Sequence, residues 1–148
     1  MSARQDRIVA LARDWIGTPY RHQASCIGAG ADCLGLVRGV WRGLLGEEPE
    51  NVPAYSMDWS EPQGEERLWA ASARYLLEKP LSDLAKGDVV LFRMRPTSVA
   101  KHLGIVSRSG AEGSFIHAYA RHGVTESPLT LPWRRRMVAC FDFPAEER

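Results

Sequence analysis

Along the first sixteen residues the apolar side chains Ile8, Leu11, Ala12, Trp15 and Ile16 recur at helical spacing, and Gly17 stands where a left-handed C-terminal cap belongs. This pattern predicts a first helix over residues 2–16. Residues 17–31 (GTPYRHQASCIGAGA) are dense in Gly, Pro, Ser and Thr, which breaks regular structure and predicts a loop. Helical periodicity then returns. Asp32 is a good N-cap, and Leu36, Val37, Val40, Trp41, Leu44 and Leu45 trace an apolar stripe that ends at Gly46. Cys33 therefore falls in the first turn of a second helix. Residues 47–63 hold Pro49, Pro53 and Pro62 with Tyr55 and Trp59, which predicts an ordered surface excursion, and a third helix follows over residues 65–78.

After Pro80 the period changes. Residues 88–92, 101–107, 115–119 and 137–143 are short β-type runs separated by Gly, Ser and Pro clusters, and residues 124–129 add another. Helices first and strands second, without βαβ alternation, predict a single α+β domain over residues 1–148, its N-terminal helices packed on one side of an antiparallel sheet. The chain has no internal repeat and no low-complexity segment.

Composition narrows the function classes. The 148 residues suit one domain, and 45% apolar with 25% charged residues matches a globular chain rather than a disordered or fibrous one. Nineteen Lys and Arg against eighteen Asp and Glu leave +1, so no large field exists to hold nucleic acid or an acidic membrane surface. Three cysteines, Cys26, Cys33 and Cys140, are odd in number and argue against a disulfide-stapled scaffold. Charged residues interrupt the apolar pattern of the N-terminus, so it does not read as a signal peptide, and no run approaches the roughly eighteen apolar residues of a membrane span. The expectation is synthesis in the cytoplasm, with no membrane partner.

Candidate chemistry centres on Cys33. A thiol at a helix start meets unpaired N–H groups and the positive end of the helix dipole, both of which favour thiolate. The competing reading is a small buried hydrophobe. Asp32 cuts both ways: its carboxylate caps the helix, and its charge opposes thiolate formation. A cysteine nucleophile needs a base and a third group that fixes the base's tautomer. His102 and His117 both sit in strand-like runs, and if residues 108–114 turn the chain back, same-face neighbours on that antiparallel pair have residue numbers that add to an odd total, a condition this pair meets. His22 and His122 lie in loop-like, Arg-flanked contexts and read as solvated or lining a cleft.

These residues carry a family resemblance. Gly-Thr-Pro-Tyr at 17–20, Ala-Asp-Cys-Leu-Gly-Leu-Val at 31–37, Leu-Ala-Lys-Gly-Asp-Val-Val-Leu-Phe at 84–92, Lys-His-Leu-Gly-Ile-Val at 101–106 and Phe-Ile-His-Ala at 115–118 resemble, in order and spacing, the NlpC/P60 papain-like cysteine peptidases. The likeness runs from Arg7 to Phe143. Asp58-Trp59 and the Pro-Trp-Arg-Arg at 132–135 further resemble the branch encoded beside tail genes of phages and gene transfer agents. The resemblance implies a papain-like fold, with Cys33 as nucleophile, His102 as general base and then acid, and His117 orienting His102. It implies Tyr20 beside the oxyanion and Asp32 meeting the free amine of a peptidoglycan stem peptide. The implied reaction cuts a γ-D-glutamyl–diamino acid bond through a thioester, without cofactor. A phage-like tail or hub would be the partner, delivering the enzyme to the periplasm or cell wall.

Two positions depart from the family pattern. Leu34 replaces the Ser that usually follows the nucleophile, and Arg21, His22, Gln23 and Ala24 replace a Trp and paired glycines, which makes the cleft rim more polar. Three rival readings remain beside the peptidase. A zinc site could draw on His22, Cys26, Cys33, His117, His122 and Cys140, but their spacing fits no short paired-ligand pattern. A non-catalytic wall- or tail-binding module could use Trp41, Trp59, Trp69 and Trp133, although such aromatics are commonly core. An amidase or acyltransferase could act on another acyl donor, since fold does not fix substrate. Arg134 to Arg136 read as a solvated edge guard without a role.

Overall fold

The computed structural model describes residues 3–49 and 64–145. Helix α1 (Ala3–Arg13) is followed by turns through Gly17, then by a two-residue ladder of β1 (Ser25–Cys26) with β2 (Gly30–Ala31). Helix α2 (Cys33–Leu45) starts on the Asp32 cap and ends at Gly46, the bounds its apolar stripe predicts. After α3 (Arg67–Tyr75) the chain runs through β3 (Leu77–Lys79), β4 (Val89–Phe92), β5 (His102–Arg108), β6 (Ser114–Tyr119), β7 (Gly123–Pro128), α4 (Leu131–Arg136) and β8 (Met137–Asp142). Eight of these elements, α1 to α3 and β4 to β8, lie where the sequence pattern expects them, α1 ending at Arg13 rather than at residue 16, and the sheet is antiparallel throughout, in the order β3-β8-β4-β5-β6-β7.

The sheet has two covered faces. Val89, Leu91, Leu103, Ile105, Ile116, Ala118 and Phe141 join Ile8, Ala12, Trp15, Leu36, Val40 and Leu44 of the helical layer in one buried cluster. The alternate positions Val90, Phe92, Val106, Phe115 and Cys140 form a second cluster on the opposite face, under Leu129, Trp133 and Met137. Period-two alternation thus sends each strand's side chains to two different cores, which is why β4 is buried at all four positions. Both histidines of interest carry the parity of the second face.

The structure departs from the sequence reading in three places. The third helix stops at Tyr75, and Leu77 to Lys79 pair with β8 because unpaired backbone at a sheet edge gains more from a ladder than from one more helical turn. The loop at 17–31 contains the β1/β2 ladder, too short for any periodic signal. The residues just before β8 form α4, with Thr130 at its N-cap position and Pro132 in its first turn. Most of the proline-rich excursion, including Pro53, Tyr55, Trp59 and Pro62, lies outside the described residues.

Candidate active site

Cys33 is the first residue of α2 and is 8% exposed. Its neighbour Asp32, 2% exposed, accepts the Gly35 N–H at Oδ1 and the Gln23 N–H at Oδ2, each at 2.7 Å, and stands 3.8 Å from His22 Nδ1. One carboxylate therefore caps the helix and ties down the loop that precedes it, where Gln23 holds a positive φ of 65°. The loop can lie this close because residue 35 is glycine: a Cβ there would stand 1.8 Å from the Ala24 carbonyl oxygen. An open depression of about 320 Å³ lies against this loop, edged by Arg21, His22, Gln23 and Cys26.

The Cys33 thiol donates to the Lys101 carbonyl at 3.8 Å. Burial pushes its pKa up to about 12, the Asp32 carboxylate adds to the rise, and the Leu103, Leu34 and Cys33 backbone N–H groups pull it back. The sulfur is thus set against the β5 backbone on both sides of His102. Tyr20, bridged to Ala31, has its phenol pushed up to about 12, by burial first and then by the charges of Cys33 and Asp32. Cys33, Asp32 and Tyr20 form one neighbourhood.

His102 and His117 meet. Ile105 pairs with Ile116 across β5 and β6, which sets Gly104 opposite His117 and leaves His102 diagonal to it on the same face. Gly104 matters here, because a Cβ at that position would stand 2.7 Å from Cδ2 of Phe115, the ring against which His117 lies at a centroid distance of 4.2 Å. The His102 Nε2 to His117 Nδ1 distance is 2.8 Å, and His117 Nε2 is 2.9 Å from Ser127 Oγ on β7. With Nε2 engaged, Nδ1 is the nitrogen His102 can offer to a thiol. Among the described residues no thiol–imidazole hydrogen bond joins Cys33 to His102.

Aromatic rings close around the pair. Phe92 and Trp133 each lie 5.7 Å from the His102 centroid, Tyr119 lies 6.0 Å away, and Tyr119 in turn stacks on His122 at 12°. This dry surround lowers the His102 pKa to about 3, with the His117 charge adding, and lowers His117 to about 4, with His122 adding. The resting site therefore holds a neutral thiol and neutral imidazoles.

The other residues singled out by sequence fall elsewhere. Cys140 directs its sulfur at the Lys79 and Pro80 carbonyls, away from the histidines, and Cys26 is exposed. Among the described residues no three His, Cys, Asp or Glu side chains converge to hold a metal ion, and no helix is long and apolar enough to cross a membrane. Trp41 and Trp69 pack on the helix-side cluster and Trp133 on the opposite one, so these three do not form a shared platform. The three consecutive arginines end α4 rather than begin a strand: Arg134 donates to Leu129 and Gly110 carbonyls, and Arg136 covers the Trp133 ring at 5.3 Å. Sequence reasoning missed Ser127, Trp133 as a neighbour of His102, and Gly104. Ser127 was within reach of the parity argument, since it shares a face of β7 with Thr125, the partner of His117.

The NlpC/P60 family model matches residues 17–141. The chain belongs to the NlpC/P60 family. A Gamma-DL-glutamyl hydrolase of Bacillus subtilis (strain 168) is 30% identical over 132 residues, covering 88% of this chain and 27% of that protein. The chain thus spans about a quarter of that relative's length. Among solved structures, the NlpC/p60 domain of the peptidoglycan hydrolase SagA superposes with a TM-score of 0.64 at 21% identity, covering 94% of this chain and 98% of that one. An NlpC/P60 family protein from Bacillus cereus gives 0.63 at 21% identity, covering 92% and 39%. These likenesses establish the papain-like α+β fold.

Proposed function

We propose that this chain is a cysteine peptidase that cuts the γ-D-glutamyl–diamino acid bond of peptidoglycan stem peptides. The observation that carries the proposal is the thiol at the start of α2, set against the β5 backbone beside His102, whose Nε2 is in turn held by His117 at 2.8 Å. The name of the Bacillus subtilis relative, a Gamma-DL-glutamyl hydrolase, supports the bond.

In this reading Cys33 Sγ leaves the Lys101 carbonyl, gives its proton to His102 Nδ1 and attacks the γ-carbonyl carbon. The oxyanion meets the Cys33 backbone N–H at the helix start and the Tyr20 hydroxyl. The tetrahedral adduct collapses as His102 protonates the departing amine, leaving a thioester that a water molecule, deprotonated by His102, hydrolyses. His117 orients the imidazole and stabilises its cationic form. The raised thiol and lowered imidazole place the ion pair uphill in the resting protein, so a substrate carbonyl poised for attack draws proton transfer and bond formation together. Asp32, with two lone-pair directions already taken by backbone N–H groups, supplies negative potential for a stem-peptide amine, and Arg21 and His22 at the neighbouring depression suit its carboxylates.

Such a substrate lies outside the cytoplasm, and we extend the proposal to delivery by a phage-like tail. The motivation is the resemblance at Asp58-Trp59 and at 132–135; the first of these segments lies outside the described residues.

The test is digestion of purified peptidoglycan and of a soluble stem tetrapeptide by wild type and Cys33→Ala, with products identified by mass spectrometry. New amines at a γ-D-glutamyl bond with wild type only are expected. Intact substrates, with Cys33 still labelled by a thiol probe, would instead indicate another acyl donor.

A further inference from the structure

The hydrogen-bonded run does not stop at His117. His117, 1% exposed, sits between two partners: His102 Nε2 at 2.8 Å from its Nδ1, and Ser127 Oγ at 2.9 Å from its Nε2. Only one proton can lie between the two rings, and its position decides whether the site works. If His117 carries it on Nδ1, then neutral His102 must be protonated on Nδ1 and cannot accept the Cys33 proton. If His102 carries it on Nε2, its Nδ1 lone pair is open to the thiol, and His117 must then hold its own proton on Nε2.

That second tautomer buries an N–H at His117 Nε2, which requires an acceptor. Ser127 Oγ is the acceptor in reach, and because Ser127 is only half-buried its own hydroxyl hydrogen can be directed to solvent. The rings of Phe115, Tyr119 and Trp133 surround His117 at centroid distances of 4.2, 5.4 and 5.2 Å, so water is poorly placed to replace the hydroxyl.

We propose that Ser127 is a positioning residue that selects the Nε2–H tautomer of His117 and thereby keeps His102 Nδ1 unprotonated for Cys33. The proposal rests on the Cys33–His102–His117 reading above and adds a fourth member, contributed by β7. Ser127 touches neither substrate nor thiol, and acts through His117.

Two readouts that need no substrate test it. Two-bond nitrogen–proton correlation spectra of histidine-labelled protein near neutral pH report each ring's tautomer, and the iodoacetamide alkylation rate of Cys33, followed on its own peptide by mass spectrometry, reports the base. Wild type and Ser127→Thr are expected to show His117 as the Nε2–H tautomer. Ser127→Ala is expected to shift His117 towards Nδ1–H and to slow Cys33 alkylation about tenfold, the size of one lost neutral hydrogen bond. An Nδ1–H tautomer in wild-type His117 would overturn the proposal before any variant is made. So would a Ser127→Ala protein with an unchanged tautomer, or with alkylation within twofold of wild type. Failure of the wild type to cleave any stem peptide, with these spectra as expected, would sink the substrate reading and leave the relay standing.

Discussion

Acid should unfold this protein earlier than its carboxylates alone would require, because two histidines are buried without charge. An unfolded histidine titrates at 6.5, whereas His102 is lowered to about 3 and His117 to about 4, both chiefly by burial. The unfolded chain therefore binds more protons below pH 6.5, so the stability due to these rings is fully present above 6.5 and is lost as pH falls towards their folded values. By pH 5 each ring has given up about 1.5 pKa units of linkage, or ~2 kcal/mol. Together they remove about 4 kcal/mol, a large share of a typical domain's stability. For a chain of this length that is a fall of about 8–16 °C in Tm between pH 7.5 and pH 5. Glu48 and Glu126, whose pKa values are lowered by Arg38 with Arg42 and by Arg13 respectively, act only below 4.5, and Asp88, raised by its burial, has the opposite sign. The assay is near-UV circular dichroism melting at half-unit pH steps, on wild type and on His102→Asn/His117→Asn. The wild type should lose most of its Tm margin between pH 6.5 and 5, and the double variant should be nearly flat there. A wild-type Tm that moves by less than about 2 °C over that window would refute the account of how these rings are buried.

Three further outcomes follow from the same geometry. With the thiol raised and the imidazole lowered, kcat/KM should hold a broad plateau covering at least pH 6.5 to 9, its limbs belonging to the coupled Cys33–His102 pair; a narrow optimum centred below pH 6 would contradict that. Asp32→Asn should weaken cleavage of stem peptides with a free amine more than of N-blocked ones, and equal losses would remove the charge argument for Asp32. Gly35→Ala should cost about 2 kcal/mol or more, lowering Tm by roughly 4–8 °C, because its Cβ would meet the Ala24 carbonyl oxygen at 1.8 Å and the loop must back away; an unchanged melting curve would show that the loop yields freely.

The placement of the site along β5, β6 and α2 also explains its burial. A histidine pair walled by Phe92, Phe115 and Trp133 is dry enough to stay neutral, and the start of α2 brings the thiol to the β5 backbone at Lys101, next to His102. The thiol thus comes from the helical layer and the imidazoles from the sheet, and they meet at the start of β5.

By itself the sequence determined the elements whose signals are local. The apolar stripe and Asp32 cap specify α2 to the residue, since a cap and a 3.6-residue period are both read within a few positions. Alternation specifies β4 to β8 to within two residues at either end, and with the register that pairs Ile105 with Ile116 it sends His102 and His117 to one face. What the tertiary structure alone decided is which distant groups touch. The edge pairing of Leu77–Lys79 with β8 that cuts α3 short and the Trp133 ring over His102 depend on partners remote in sequence, and the inward turn of Asp32 depends on a loop conformation that carries no periodic signal. Protonation was decided there too. A helix start favours thiolate when considered alone, yet burial, with the Asp32 charge adding, outweighs it and leaves Cys33 neutral, because removing water from a charge costs more than a few backbone N–H groups return.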